Sequence, residues 1–352
     1  MHCSDKATLR LATGLGLAAL IAYGWGLTAP YVVCVMAVLL LAKPGPALPL
    51  GKGLVLAMVF GVLVGAGLLM VPLLESYAAS GVLLTAVILF SLFYKGLVDS
   101  NPLITILIIT FAVIPVAGVL EQALVSQLAL SMAIGVAVGT VVSFLASALF
   151  PDPPIPEDAA GQKPVTSDDA AITHDAARWI ALRATVIVMP VFLLALSNPS
   201  AYMAAIMKTV ALGQQAGETD SRSAGRELVG STCMGAIIAL VLWLGLSLWP
   251  SLWMLILWLM AAALWTGAAM TGARRTRRRP SFWSNALVTA LILFGPAIED
   301  SASGKSVLQG AAMRTALFIA VSFYAWGTIW LLEHWRAARV TEFLPSSGEN
   351  TT

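Results

Sequence analysis

Residues 228–248 read LVGSTCMGAIIALVLWLGLSL, and after Trp249-Pro250 residues 251–272 read SLWMLILWLMAAALWTGAAMTG. Neither run contains a charged side chain, and each is long enough to cross a hydrocarbon core of ~30 Å, which takes roughly 17–25 residues as a helix. Apolar and polar residues do not alternate in either run, so a membrane β-strand is excluded. The pair ends at Arg274, Arg275, Arg277, Arg278 and Arg279, a block that hydrocarbon would not accept. Two spans around a Trp-Pro turn, closed by arginines, describe a hairpin that goes out and returns to the cytoplasmic side.

The pattern extends along the chain. Of its 352 residues 59% are apolar and 11% are charged, where a soluble domain carries about a quarter charged. Further apolar runs occupy Leu54–Leu74, Gly81–Val98, Pro102–Val119, Ala123–Phe150, Phe282–Ile298 and Gln309–Leu332. Two tighter hairpins, Leu9–Ala42 and Leu182–Gly213, each hold two apolar runs around Gly or Pro. The fold class expected is therefore all-α and polytopic, with about twelve transmembrane segments. With the N-terminus inside, only Lys305 and Arg314 of the 20 lysines and arginines fall on the outer side. That bias places both termini in the cytoplasm. Lys6 and Arg10 before Leu11–Ala22 resemble a signal peptide, but no small-residue cleavage site leads into a polar start, so this run is read as the retained first helix. Trp249, Trp253, Trp283, Trp330 and Trp335 cluster near expected helix ends, as an interfacial aromatic belt does.

Residues 151–177 break the pattern. Pro151-Asp152-Pro153-Pro154 opens a stretch of Pro, Asp and small residues that cannot bury a core, read as a disordered cytoplasmic linker. It separates two six-segment halves, 1–150 and 178–335, with a cytoplasmic tail at 336–352. The halves resemble each other in order. Leu9-Arg10-Leu11-Ala12-Thr13 returns as Leu182-Arg183-Ala184-Thr185, and Pro30 as Pro199. Gly51-Lys52-Gly53-Leu54-Val55 returns as Gly225-Arg226-Glu227-Leu228-Val229, and Pro115 before Glu121 as Pro296 before Glu299-Asp300. Six segments per half make the repeats parallel, related by an axis along the membrane normal, with a substrate site expected at their interface. The two short hairpins are 34 and 32 residues long, against ~40 for two full spans and a turn. They either cross a thinned bilayer or re-enter from the cytoplasm, and such paired short segments point to a transport site.

Ionisable groups inside apolar runs are candidate site residues because hydrocarbon makes them costly. Arg10 and Arg183 start the two short hairpins, where they either snorkel to the interface or form a cationic rim that draws in an organic anion. Lys208 lies inside its segment, beyond Pro199, where it either snorkels to the interface or is a candidate substrate ligand. Lys95, Asp99 and Asn101 form a second cluster. Lys95 and Asp99 have i,i+4 spacing for an ion pair that either seals a helix turn or gates the cytoplasmic side. Gln214 and Gln215 end the eighth segment and either cap it or donate to a carboxylate. The outward acids Glu75, Glu121, Glu299 and Asp300 are read as solvated loop residues or as a surface for a basic partner. The Arg274–Arg279 block is a topology signal that attracts anionic lipid, not a nucleic-acid patch. No phosphate-cradling Gly-Lys-Ser/Thr loop is present. His2, His174 and His334, and Cys3, Cys34 and Cys233, are scattered without ligand spacing. No enzyme activity, metal or cofactor is expected.

Several stretches carry a family resemblance: Leu40-Leu41-Ala42-Lys43-Pro44-Gly45-Pro46, Phe93-Tyr94 to Asn101-Pro102, Ala148-Leu149-Phe150-Pro151-Asp152-Pro153-Pro154, Ser197-Asn198-Pro199-Ser200-Ala201-Tyr202 and Leu212-Gly213-Gln214-Gln215. Over roughly residues 8–335 the chain resembles uncharacterised bacterial inner-membrane proteins allied to the fusaric acid resistance and aromatic acid exporter superfamily. The resemblance implies efflux of small organic, often aromatic, acids with a periplasmic adaptor of the membrane-fusion type and an outer-membrane channel. It carries over no residue role. The better-known exporters have sizeable cytoplasmic domains after each half, and here those places hold only the linker and the tail. Two other readings stay open: a passive anion channel, since the superfamily resembles plant anion channels in its membrane part, and a non-transporting membrane anchor for an adaptor complex.

Overall fold

The structure is a computed structural model that describes residues 3–27, 29–42, 51, 55, 58–59, 61–62, 65, 67–99, 102–120, 122–151, 174–216, 221–302 and 307–342. Its helices are α1 (Cys3–Gly24), α2 (Pro30–Leu41), α3 (Met70–Ser76), α4 (Ala78–Asp99), α5 (Pro102–Leu120), α6 (Gln122–Leu149), α7 (His174–Ser197), α8 (Pro199–Ala216), α9 (Ser221–Leu248), α10 (Leu252–Met270), α11 (Pro280–Ala302) and α12 (Val307–Glu342). No strand occurs among the described residues. Eight helices are long and apolar enough to cross a membrane: α1, α4, α6, α7, α9, α10, α11 and α12. The chain is a multi-pass α-helical membrane protein. Only helices and closed barrels satisfy every backbone group inside hydrocarbon, so apolar runs without alternation have no other choice.

The boundaries follow local chemistry. Prolines open α2, α5, α8 and α11, where the missing N–H costs nothing and the fixed φ suits the first turn. Ser251 is extended and its Oγ accepts from the Met254 N–H at 3.2 Å, capping α10. Gly26 (φ 62°) and Gly272 (φ 81°) take the left-handed turns after α1 and α10. Pro115, Pro190 and Pro296 sit inside α5, α7 and α11, as membrane helices tolerate.

Two expected helix limits move. The helix after the expected linker, α7, begins at His174, before residue 178, and α12 continues through Glu342, so the first part of the expected tail is helical. Of the third expected segment, Leu54–Leu74, only the end is described as a continuous helix, α3. The expected linker falls almost wholly outside the described residues. The shortness of the first hairpin resides in α2, whose 12 residues rise about 18 Å. It is enclosed: Val32 through Val38 are all buried.

Helix α2 packs on α1, α6 and α11, and α8 packs on α7, α12 and α5. The two halves meet through α1 on α10, α4 on α7, α2 on α11 and α5 on α8. Lipid tails are as apolar as leucine, so these contacts rest on close fit and small residues rather than on water exclusion. At Gly235 of α9, an added Cβ would lie 2.6 Å from Thr289 Cβ and 2.7 Å from the Ala286 carbonyl oxygen of α11. That glycine therefore sets the α9–α11 separation. The exposed Leu248, Trp249, Trp253 and Trp330 face the surroundings of the bundle, which for a membrane protein is lipid.

Candidate functional site

Hydrocarbon penalises polar groups, so the buried polar side chains mark where function is built. Among the described residues they concentrate in α7–α12. Lys208 stands at mid-length of α8 and is 0% exposed. Its Nζ donates to Asn285 Oδ1 at 3.1 Å and to Thr289 Oγ1 at 2.7 Å, both on α11. Asn285 Nδ2 donates to Ser231 Oγ of α9 at 2.6 Å. Close by in sequence, Thr232 of α9 and Ser322 of α12 share a hydroxyl–hydroxyl bond of 2.8 Å.

The network has a direction. Thr289 Oγ1 donates to the Asn285 carbonyl at 2.5 Å, and Ser231 Oγ to the Leu228 carbonyl at 3.1 Å. With those protons committed to backbone, Thr289 presents lone pairs to α8, and Asn285, whose amide donates to Ser231, presents its oxygen. Both face Lys208 as acceptors, which suits an ammonium. An ammonium has three protons and these acceptors take two. That leaves one donor of the ammonium form and no carboxylate paired with it among the described residues.

The other expected residues have separate surroundings. Arg10 donates through Nε to the Phe150 carbonyl at 2.8 Å, and Lys6 to the Pro151 carbonyl at 2.9 Å, closing the end of α6. Both satisfy the carbonyls a helix terminus leaves open. Arg183 is buried, and its Nη1 pairs with Glu333 Oε1 of α12 at 2.8 Å. The same oxygen accepts from Trp179 Nε1 at 3.1 Å, while the Arg336 guanidinium lies 5.3 Å from the Trp179 ring. The matched pair Arg10 and Arg183 thus clamp α6 and α12 to their respective hairpins by different chemistry. Lys208, on α8 and bonded to α11, belongs to neither clamp.

Lys95 and Asp99 are exposed on α4, and among the described residues no ion pair joins them. Asn101 lies outside the described residues, as do Lys43, Lys52, Glu121, Lys163 and Lys305. Gln214 is half-buried at the end of α8, and the side chain of Gln215 is outside the described set. Between the end of α11 and the start of α12 Arg314 Nη2 pairs with Asp300 Oδ2 at 2.7 Å. Before α11 Arg279 Nε lies 3.7 Å from Glu227 Oε1 of α9. No group of His, Cys, Asp and Glu suited to a metal occurs among the described residues.

Sequence reasoning missed Asn285, Thr289, Ser231 and Glu333. Asn285 carried a usable signal, a lone amide within the apolar run Phe282–Ile298. The hydroxyls carried none, because Ser and Thr enter membrane helices freely by bonding their own backbone.

A family model described as a protein of unknown function (DUF2955) matches residues 7–147. The match spans α1 to α6 and ends before the Lys208 network begins. No curated protein and no solved structure matches the chain.

Proposed function

We propose that this protein is an inner-membrane exporter of small organic anions, aromatic carboxylic acids foremost, and that Lys208 holds the anion during passage. One observation carries this reading: a fully buried lysine amine whose bonded partners, Asn285 and Thr289, are neutral. A cation buried without counter-charge costs several kcal/mol, and a carboxylate bound beside it removes that cost. The negative interior favours anion exit by roughly 2.3 kcal/mol per charge per 100 mV. No second coupling ion is needed.

The proposal includes twelve segments in two parallel six-helix repeats with both termini cytoplasmic. Packing supports it. Exchanging α1, α2, α4, α5 and α6 for α7, α8, α10, α11 and α12 turns the α1–α10 contact into α7–α4 and α2–α11 into α8–α5. The same exchange turns α2–α6 into α8–α12 and α4–α5 into α10–α11. An axis along the membrane normal generates that correspondence. On this reading the route runs inside the second half, along α8, α9 and α11, and the anion passes to the periplasmic adaptor and outer-membrane channel that the family resemblance implies.

Liposomes carrying the purified chain and loaded with labelled benzoate test the assignment under an imposed potential. Saturable efflux is expected, falling roughly 100-fold in Lys208→Gln, the equivalent of about 2.7 kcal/mol. Wild-type efflux from Lys208→Gln, Arg10→Gln and Arg183→Gln proteins alike would remove the site assignment. Single-channel currents in a planar bilayer would replace the exporter with a passive anion channel. Flux without an adaptor disposes of the anchor reading.

A further inference from the structure

The arginine-dense turn after α10 is more ordered than a topology signal requires. Gly272 turns the chain in the left-handed region, and the Arg274 N–H returns to the Ala268 carbonyl at 2.7 Å. This brings the Arg274 guanidinium to 4.9 Å from the Trp265 ring and 5.9 Å from the Trp283 ring. The two rings meet edge to face at 5.0 Å, and Trp283 Nε1 donates to Thr276 Oγ1 at 3.3 Å. Thr276 Oγ1 also accepts from the Arg278 N–H at 3.2 Å, and the Arg278 guanidinium lies 5.2 Å from the Phe282 ring. Arg279 is near Glu227. Arg274, Arg275, Arg277 and Arg278 form no ion pair among the described residues.

An aromatic face holds a guanidinium by its plane and leaves its edge donors free. Planar, edge-on donors are what a phosphodiester takes. A soluble phosphate would find this chemistry too, but the surroundings select a lipid. Below the turn, Trp253, Leu257, Ala261, Leu264 and Trp265 form one exposed stripe along α10, a track for an acyl chain that ends at the arginines. We infer that the turn 271–279, with Trp265 and Trp283, is a binding site for the headgroup of an acidic glycerophospholipid of the inner leaflet, with Arg274 and Arg278 as its phosphate ligands.

Substituting lysine for arginine tests this without disturbing net charge, and so without disturbing orientation. The full chain in detergent is exposed to equal phosphatidylglycerol and phosphatidylcholine, and retained lipid is counted by native mass spectrometry. The wild type is expected to retain phosphatidylglycerol by roughly tenfold over phosphatidylcholine, whose trimethylammonium group crowds and offsets the phosphodiester that the guanidinium edges bind. The Arg274→Lys/Arg278→Lys protein is expected to lose most of that preference, while Arg275→Lys/Arg277→Lys keeps it. Trp265→Leu preserves an apolar lipid-facing side chain and is expected to lose preference as well, because the platform is gone. Equal preference in the wild type and the Arg274→Lys/Arg278→Lys protein would overturn the site. Displacement of the lipid by millimolar inorganic phosphate would overturn its assignment to a lipid.

Discussion

The two halves share a packing pattern and differ in what they bury. In the first, α2 sits against α5 and α6 with Val32 and Met36 inside, in a core that includes Ile108 and Val113. In the second, α8 takes the matching place against α11 and α12, but Lys208 is inside and meets Asn285 and Thr289. An apolar helix junction at α2 and a polar one at α8 therefore sit among comparable helix contacts. Backbone packing and site chemistry are separable here: the first sets where helices cross, and the second depends on a few side chains at the crossing.

The largest effect should come from forcing the apolar junction to become polar. Met36→Lys would bury a charge where no acceptor is arranged, at about 3 kcal/mol on insertion scales. Loss of the monodisperse peak in detergent gel filtration is expected, and a stable Met36→Lys protein would show that the first half tolerates a cation as the second does. Next comes helix separation. Gly235→Ala places a methyl against the Ala286 carbonyl and Thr289, and should destabilise by about 1–3 kcal/mol in thermal unfolding. Gly67→Ala meets Ile114 only at 3.4 Å and should stay within about 0.5 kcal/mol. Equal shifts would mean that the α9–α11 contact is not the tighter of the two. The smallest contrast separates the two hairpin clamps. Glu333→Gln strips the counter-charge from buried Arg183 and should cost about 2 kcal/mol, discounted because Glu333 is partly exposed. Arg10→Gln removes a bond to a carbonyl and should cost about 1 kcal/mol. A reversed order of melting temperatures would contradict the ranking.

Much of the architecture was legible in the residues. The Arg10 and Arg183 starts, the Pro30 and Pro199 openings and the short second hairpin helix all follow from local rules of helix ends and hydrocarbon length. Lys208 stood out as an ionisable residue within an apolar segment. Its partners did not, because Asn285 and Thr289 are 77 and 81 residues away along the chain, and nothing local marks a serine or threonine as bonded across helices. Lys95 and Asp99 show the opposite failure: spacing fit for an ion pair, with both side chains exposed and unjoined.

The sequence alone determined that the chain is a multi-pass α-helical membrane protein and where most of its apolar helices lie along the chain. Those are decided by hydrocarbon's refusal of charge and of unbonded backbone, conditions that act on each segment separately. Which face of each helix turns inward was left to the tertiary structure. In lipid the inner and outer faces are equally apolar, so no stripe of hydrophobicity distinguishes them, and only the fit of one helix against another places Lys208 beside Asn285 and Thr289.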